Sequence, residues 1–97
     1  MTALGQLFEI IERETGITQA QIKSKSRKEE LAYLRVIIAC YLNKEGCITG
    51  IIANIVSRDR ATINHYLKVR EDYYKYNRKY RTLFDTITKS VENVMKT

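Results

Sequence analysis

The sequence of 97 residues contains no proline and no tryptophan, one histidine, two cysteines and only four glycines. Because proline and glycine interrupt helices most strongly, their scarcity favours helices over strands. Cys40 and Cys47 match no zinc spacing, and two cysteines do not make a disulfide framework. Cys40 lies in the apolar run VIIACYL and is predicted to be a core residue. We therefore expect a reducing cytoplasm, no metal and no other cofactor.

Long apolar runs are also missing. No run approaches the roughly eighteen residues of a membrane span, and the N-terminus does not have the charged start and apolar core of a signal peptide. We therefore expect a soluble protein with no membrane contact. The length suits a single domain, residues 1–97, and leaves no room for a catalytic domain with a separate cofactor lobe.

The net charge of +6 is distributed unevenly. Residues 22–35 carry five bases and two acids, and residues 58–81 carry eight bases and three acids, whereas the apolar stretch between them has no net charge. Two basic islands favour a polyanionic partner. The alternative is that the charges only solvate the surface of a small basic protein.

The spacing of the apolar residues predicts the first helices. Residues 3–15 form an amphipathic pattern. Thr18 and Gln21 have the form of a capping box that opens a second, short helix ending near Lys23. The polar loop at 23–30 then leads into a third helix with one apolar face, and Arg35 is predicted to lie beside that face and to extend the basic island. The face consists of Leu31, Leu34, Ile38, Tyr41 and Leu42.

A helix-turn-helix pattern follows at about 49–70. A short apolar helix over 50–56, which Thr49 is placed to cap, leads into a tight turn. Asp59 is placed at the N-cap of the next helix, where its carboxylate would accept from a backbone N–H two or three residues on. Two helices joined by a turn of three or four residues define this motif.

In such a motif the N-terminal end of the second helix enters the major groove of DNA. Four residues occupy this end and are the candidates for base reading: Asp59, Arg60, Ala61 and Thr62. Arginine donates two hydrogen bonds to guanine, and the threonine methyl suits thymine. Five further residues are predicted to meet phosphates: Arg35, Thr49, Arg58, His65 and Lys68.

Enzyme chemistry is not expected from this chain. Asp59 and His65 are six residues apart on a helix and do not face each other. The sequence has no G-x-S-x-G, no glycine-rich phosphate loop and no H-E-x-x-H. No catalytic residue and no small-molecule substrate are predicted.

Residues 73–97 are predicted to form a tyrosine-rich C-terminal helix, with a break near Asn77. Its apolar stripe alternates spacings of three and four; its members are Tyr73, Tyr76, Tyr80, Phe84, Ile87, Val91 and Val94. The stripe is expected to pack against the rest of the domain. A homodimer seam along the same stripe is the alternative.

Two segments, SKSRK (24–28) and SRDRATINHYLKVRE (57–71), carry a resemblance to a known family. They closely resemble the C-terminal DNA-binding domain, domain IV, of the bacterial replication initiator DnaA, whose signature runs approximately G-R-D-H-[ST]-T-V-x-H-A. The residues that match it are Arg58, Asp59, Thr62 and His65, with Ile63 in place of valine. The resemblance covers roughly residues 4–75.

The resemblance implies an all-α fold of the Trp-repressor-like helix-turn-helix type, here with an extended C-terminal helix. It also implies a double-stranded DNA partner. Asp59, Arg60, Ala61 and Thr62 would read the major groove. Arg27, with Lys25 beside it in the basic loop, would reach the adjacent minor groove.

The chain departs from the family at several positions. Arg60 replaces the usual histidine and Ala61 the usual serine or threonine, so the preferred site need not be the initiator's own box. Glu29 and Glu30 reduce the net positive charge of the basic loop. No G-x-x-x-x-G-K-[ST] is present, so no ATPase activity is expected.

We therefore expect a stand-alone, nucleoid-associated DNA-binding protein that acts in replication initiation, in its regulation or in transcription. The alternative is a helical protein-interaction module whose DNA surface has decayed and whose partner docks on residues 73–94.

Overall fold

Six α-helices and no strand make up the regular structure of residues 3–95, the part of the chain that the computed structural model describes; side chains are described for 5–94. The helices are α1 Ala3–Thr15, α2 Gln19–Lys23, α3 Glu29–Lys44, α4 Thr49–Val56, α5 Arg60–Tyr76 and α6 Arg78–Met95. The predicted all-α class is confirmed. Residues 1–2 and 96–97, the ends of the predicted domain, lie outside the described residues, as does the side chain of Leu4.

The boundaries of the first helices follow from local chemistry. Gly16 ends α1 with a φ of 75°, a left-handed conformation that suits glycine. Thr18 then opens α2 with the predicted capping box: its hydroxyl accepts from the Gln21 N–H at 3.2 Å, and the Gln21 side chain accepts from the Thr18 N–H at 2.8 Å.

Helix α3 lies at the centre of the molecule. It contacts α2, α4, α5 and α6, while α1 packs mainly against α6. All six residues from 34 to 39 are buried, so α3 has no polar face over this stretch. Cys40 is also buried, as predicted. Within residues 3–95 no helix combines the length and the apolar character that a membrane crossing requires.

The C-terminal segment is divided at Asn77. This residue is extended between α5 and α6. Its side-chain oxygen accepts from the Tyr80 N–H at 3.0 Å in the first turn of α6, and its side-chain nitrogen donates to the Tyr33 hydroxyl at 2.6 Å. The break predicted near Asn77 is confirmed, and residues 73–76 accordingly belong to α5 rather than to a separate C-terminal helix.

The apolar stripe of this segment faces the domain's own core. Tyr80, Ile87 and Val91 are buried there, whereas Tyr76 is 75% exposed. The interpretation as packing within one domain is therefore confirmed for these three residues. Homodimer formation stays a prediction.

Candidate nucleic-acid interface

Helices α4 and α5 are joined by a turn of three residues, 57–59, as the helix-turn-helix pattern requires. Ile52 and Val56 of α4 and Ile63 of α5 are fully buried and hold the two helices together. Ser57 adopts a left-handed conformation with a φ of 55°, and the Arg58 N–H donates to the Ala53 carbonyl at 2.9 Å. This turn sets where α5 begins.

Asp59 caps α5 as predicted. Its carboxylate oxygen Oδ1 accepts from the backbone N–H of Thr62 at 2.8 Å. Hydrogen bonding from Thr62 lowers the pKa of Asp59, because it favours the charged carboxylate. The side chain is exposed. Asp59 therefore carries its charge at neutral pH while it orients the first turn of α5.

The outward face of α5 carries the residues that the sequence places there. Arg60, Ala61, His65 and Lys68 are exposed, and Thr62 is half-buried. Ile63, on the opposite side, is fully buried. The first half of α5 is thus amphipathic, with its charged side chains on the exposed side. The contacts of these side chains with bases or phosphates stay a prediction.

Arg60 folds back over Gly50 at the start of α4. A Cβ added to Gly50 would lie 3.1 Å from Nη2 and 3.2 Å from Nε of Arg60. A side chain at Gly50 would therefore crowd the guanidinium, which could give way by a few tenths of an ångström because it is the end of a flexible, exposed side chain. The sequence did not indicate this contact, because the two residues are ten positions apart.

The prediction that Arg35 contacts a DNA phosphate is wrong. The residue is only 2% exposed. Its guanidinium donates to three backbone carbonyls: Nε to Ile22 at 2.7 Å, Nη1 to Ser26 at 2.9 Å and Nη2 to Ser24 at 2.9 Å. Burial lowers its pKa, and the nearby Arg58 lowers it further. Arginine still keeps its charge in proteins, so the three carbonyls compensate a buried cation.

The burial of Arg35 has a sequence signal that the charge count missed. Leu34 precedes it and Val36, Ile37 and Ile38 follow it. A helix that is apolar on every side has no solvent face for an isolated arginine. Such an arginine is expected to bind acceptors inside the fold.

The Ser24 carbonyl joins the basic loop to the helix-turn-helix. It accepts from Arg35 and also from Nη2 of Arg58, at 2.8 Å. Arg58 is half-buried, and its Nη1 donates to the Ser57 carbonyl at 2.8 Å. One backbone oxygen thus connects the loop after α2, the core helix α3 and the turn before α5.

The loop held in this way exposes its basic side chains. Lys25 and Arg27 are exposed, as is Lys28 of the same basic run. Glu29 is paired with Lys79 of α6 at 3.3 Å. Lys79 therefore partly compensates the negative charge of Glu29. As a result, Glu29 lowers the positive charge of the basic loop less than the sequence suggested.

The capping role predicted for Thr49 is wrong. Helix α4 begins at Thr49, so the N-cap is Ile48, which makes no side-chain cap hydrogen bond. Thr49 is half-buried. A phosphate contact by Thr49 stays a prediction.

Residues 3–95 hold no group of three or more histidine, cysteine, aspartate or glutamate side chains placed to bind a metal. Burial raises the pKa of the Cys40 thiol, although the nearby Arg70 opposes the rise. Cys40 is therefore a protonated thiol at neutral pH.

Comparison of the chain with models of protein families, with curated proteins and with solved structures finds no match. The resemblance to the DnaA domain therefore rests on the residues quoted above.

Proposed function

We propose that this protein binds double-stranded DNA through α4, the turn and α5, in the manner of DnaA domain IV. The observation that carries the proposal is the shared Ser24 carbonyl. Through this carbonyl oxygen, Arg35 and Arg58 hold the loop, with its exposed basic side chains, beside the start of α5. The basic loop is thereby tied to Arg58, the first residue of the second basic island.

The roles within this surface differ. Arg60 and Thr62, in the first turn of α5, are the proposed base-reading residues in the major groove, with Ala61 beside them and Asp59 orienting the turn. Lys25 and Arg27, in the loop, are the proposed contacts in the adjacent minor groove, where basic side chains meet a narrow, negative groove.

The proposed phosphate contacts flank these positions: Thr49, Arg58, His65 and Lys68. Arg35 is removed from this set and becomes a positioning residue, because it acts on the DNA surface only by holding the loop. We propose that the protein acts at duplex sites in replication initiation, in its regulation or in transcription, and that it associates with the nucleoid.

The first test is the salt dependence of binding to a mixed-sequence duplex, measured by fluorescence anisotropy. With Arg58, Lys68 and His65 as the basic phosphate contacts, the plot of log K against log salt concentration should have a slope of about −2 to −3. No affinity at low salt would overturn the proposal.

The second test separates base reading from phosphate contact. Selection of bound duplexes from a random pool defines the preferred site. Arg60→Ala should then lose discrimination at one position, by about 1–3 kcal/mol, with little change on mixed sequence. Lys68→Ala should weaken binding to all sequences alike and reduce the salt slope by about 1.

Lys89→Ala, an exposed lysine of α6, is the matched control and should change neither quantity. Equal effects of Arg60→Ala and Lys68→Ala on all sequences would contradict the division of roles.

The alternative function is a protein-interaction module. Its support is the exposure of apolar and aromatic side chains outside the proposed DNA-reading positions: Ile48 is 66% exposed and Tyr76 75% exposed. Sedimentation with and without duplex DNA distinguishes the two functions. The module would associate with itself or with a protein partner through residues 73–94 and would ignore DNA.

A further inference from the structure

The bend between α5 and α6, residues 74–81 (YKYNRKYR), carries four bases and no acid, and we call it the basic bend. It lies apart from the proposed base-reading residues. The 17 residues of α5 place its last residue, Tyr76, about 24 Å along the helix axis from Arg60 at its start. The second basic island, residues 58–81, is therefore divided between two separate places on the molecule.

Tyr76 is the exposed aromatic side chain of the basic bend. It is 75% exposed, and the Lys75 Nζ lies 5.4 Å from the centroid of its ring. Tyr74, in contrast, takes part in the fold. Its ring meets Phe84 edge to face with centroids 5.3 Å apart, and its hydroxyl donates to Asp85 at 2.9 Å. Tyr76 thus presents a ring to solvent, with a cation beside it, that packing within the domain does not explain.

Hydrogen bonds fix the backbone of the basic bend. Asn77 is extended, and its side chain bonds to both α3 and the first turn of α6. Arg81 Nε donates to the Tyr74 carbonyl at 2.8 Å, and Nη2 donates to the Lys75 carbonyl at 2.7 Å. The last turn of α5 is thereby held in place. A surface on an ordered backbone loses less entropy when a partner binds.

Three exposed cations lie next to the exposed ring in the sequence: Lys75, Arg78 and Lys79. Among the described side chains, Lys75 and Arg78 take part in no ion pair. Lys79 pairs with Glu29 at 3.3 Å, but both side chains are largely exposed, so the pair is weak and a phosphate can replace the carboxylate. The basic bend therefore has an excess of positive charge that attracts a polyanion.

We propose that the basic bend binds single-stranded nucleic acid. One base stacks on the ring of Tyr76, and the neighbouring phosphates are bound by Lys75, Arg78 and Lys79. Proteins that bind single strands without sequence preference combine cations along the backbone with an aromatic ring on which a base stacks. In a duplex the faces of the bases are covered by their neighbours, and an acidic peptide has no base for the ring. This inference goes beyond the proposed duplex binding and does not depend on it.

The test measures fluorescence anisotropy of labelled strands with the full chain at low salt. An oligothymidylate of about twelve nucleotides lies within the range that one such surface covers, and an oligouridylate of the same length is the RNA probe. We expect saturable binding of at least one, and the tighter of the two identifies the preferred sugar. An abasic strand of equal length, which keeps the phosphates, should bind at least about fivefold more weakly. Polyglutamate should compete poorly with the labelled strand.

Variants separate stacking from charge. Tyr76→Ala should weaken strand binding about tenfold, whereas Tyr76→Phe keeps the ring and should retain most of the affinity. In NMR spectra the ring protons of Tyr76 should move upfield when the strand binds. The double change Lys75→Ala and Arg78→Ala should reduce the salt slope by about 1.4, because each single-strand phosphate contributes about 0.7. Lys89→Ala, the matched control on α6, should change none of these quantities.

The duplex experiments remain distinct from this test. Tyr76→Ala should leave duplex binding unchanged, and the double change Arg60→Ala and Lys68→Ala should leave strand binding nearly unchanged. Absence of saturable binding of both strands would overturn the proposal. So would equal affinity for the abasic strand, equal competition by polyglutamate, or loss of strand binding in the Arg60–Lys68 variant but not in Tyr76→Ala.

Discussion

Two regions connect helix α3 to its neighbours, and they use different interactions. In the loop–turn region, residues 22–28 and 57–59, arginine side chains bind backbone carbonyls at 2.7–2.9 Å. In the tyrosine junction, Tyr33, Tyr73 and Tyr80 meet edge to face with ring centroids 5.5–5.9 Å apart. The first region relies on directed hydrogen bonds and the second on packed aromatic area.

Because the two regions use different interactions, one fixes the position of a loop and the other stabilises the core. Hydrogen bonds to a buried cation depend on geometry, so they fix the position of a loop that buries little apolar surface of its own. Aromatic packing depends mainly on buried area, together with a preference for edge-to-face or offset rings. The loop–turn region therefore sets where the basic side chains lie, whereas the tyrosine junction contributes to the stability of the core.

The largest effect is expected from Arg35→Ala. The change leaves the Ile22 and Ser26 carbonyls without their arginine donor and should lower the free energy of unfolding by about 3 kcal/mol. Urea denaturation followed by circular dichroism measures it. Arg35→Lys keeps the charge without the planar fork and should lose less stability.

Arg78→Ala, an exposed arginine at the start of α6, is the control and should change stability by no more than about 0.5 kcal/mol. If Arg35→Ala lowered the free energy of unfolding no more than the Arg78→Ala control does, the carbonyl contacts would not hold the loop.

A smaller effect is expected at the tyrosine junction from Asn77→Ala. This change removes the hydrogen bond to the Tyr80 N–H and the hydrogen bond to the Tyr33 hydroxyl, and should cost about 1–2 kcal/mol. A double-mutant cycle with Tyr33→Phe measures the share of the second contact. Strict additivity of the two changes would show that the Asn77–Tyr33 contact contributes nothing.

The smallest effect, with the opposite sign, is expected from Ser57→Gly in the turn. Ser57 has a φ of 55°, where glycine avoids the steric cost of a side chain but loses more entropy on folding. We expect a net stabilisation of about 0.5–1 kcal/mol, seen as a higher melting temperature. Ser57→Ala retains the Cβ and should not stabilise the protein.

Local sequence patterns predicted much of the fold. The bounds of α1 and α2, the Thr18–Gln21 capping box, the Asp59 cap and the break at Asn77 all depend on residues close together in the chain. Such features follow from backbone hydrogen bonding, which short spacings reveal.

Features that depend on distant packing were not predicted. The charge pattern placed Arg35 on the surface because it could not show that Ser24 and Ser26 carbonyls lie within reach of α3. The place of Arg60 over Gly50 depends likewise on how separate helices come together. The base-reading roles remain predictions, because they depend on a partner as well as on the fold.

The Ser24 carbonyl accepts hydrogen bonds from both Arg35 and Arg58, and this arrangement also affects how a protease can attack the loop. Trypsin cleaves after lysine and arginine, and the loop after α2 offers it Lys25, Arg27 and Lys28 in exposed positions. A protease must draw the backbone into an extended strand in its own cleft, yet the backbone at Ser24 and Ser26 is bound by Arg35 and Arg58. We therefore expect this loop, despite its several cleavage sites, to be a poor substrate of trypsin for as long as the domain stays folded.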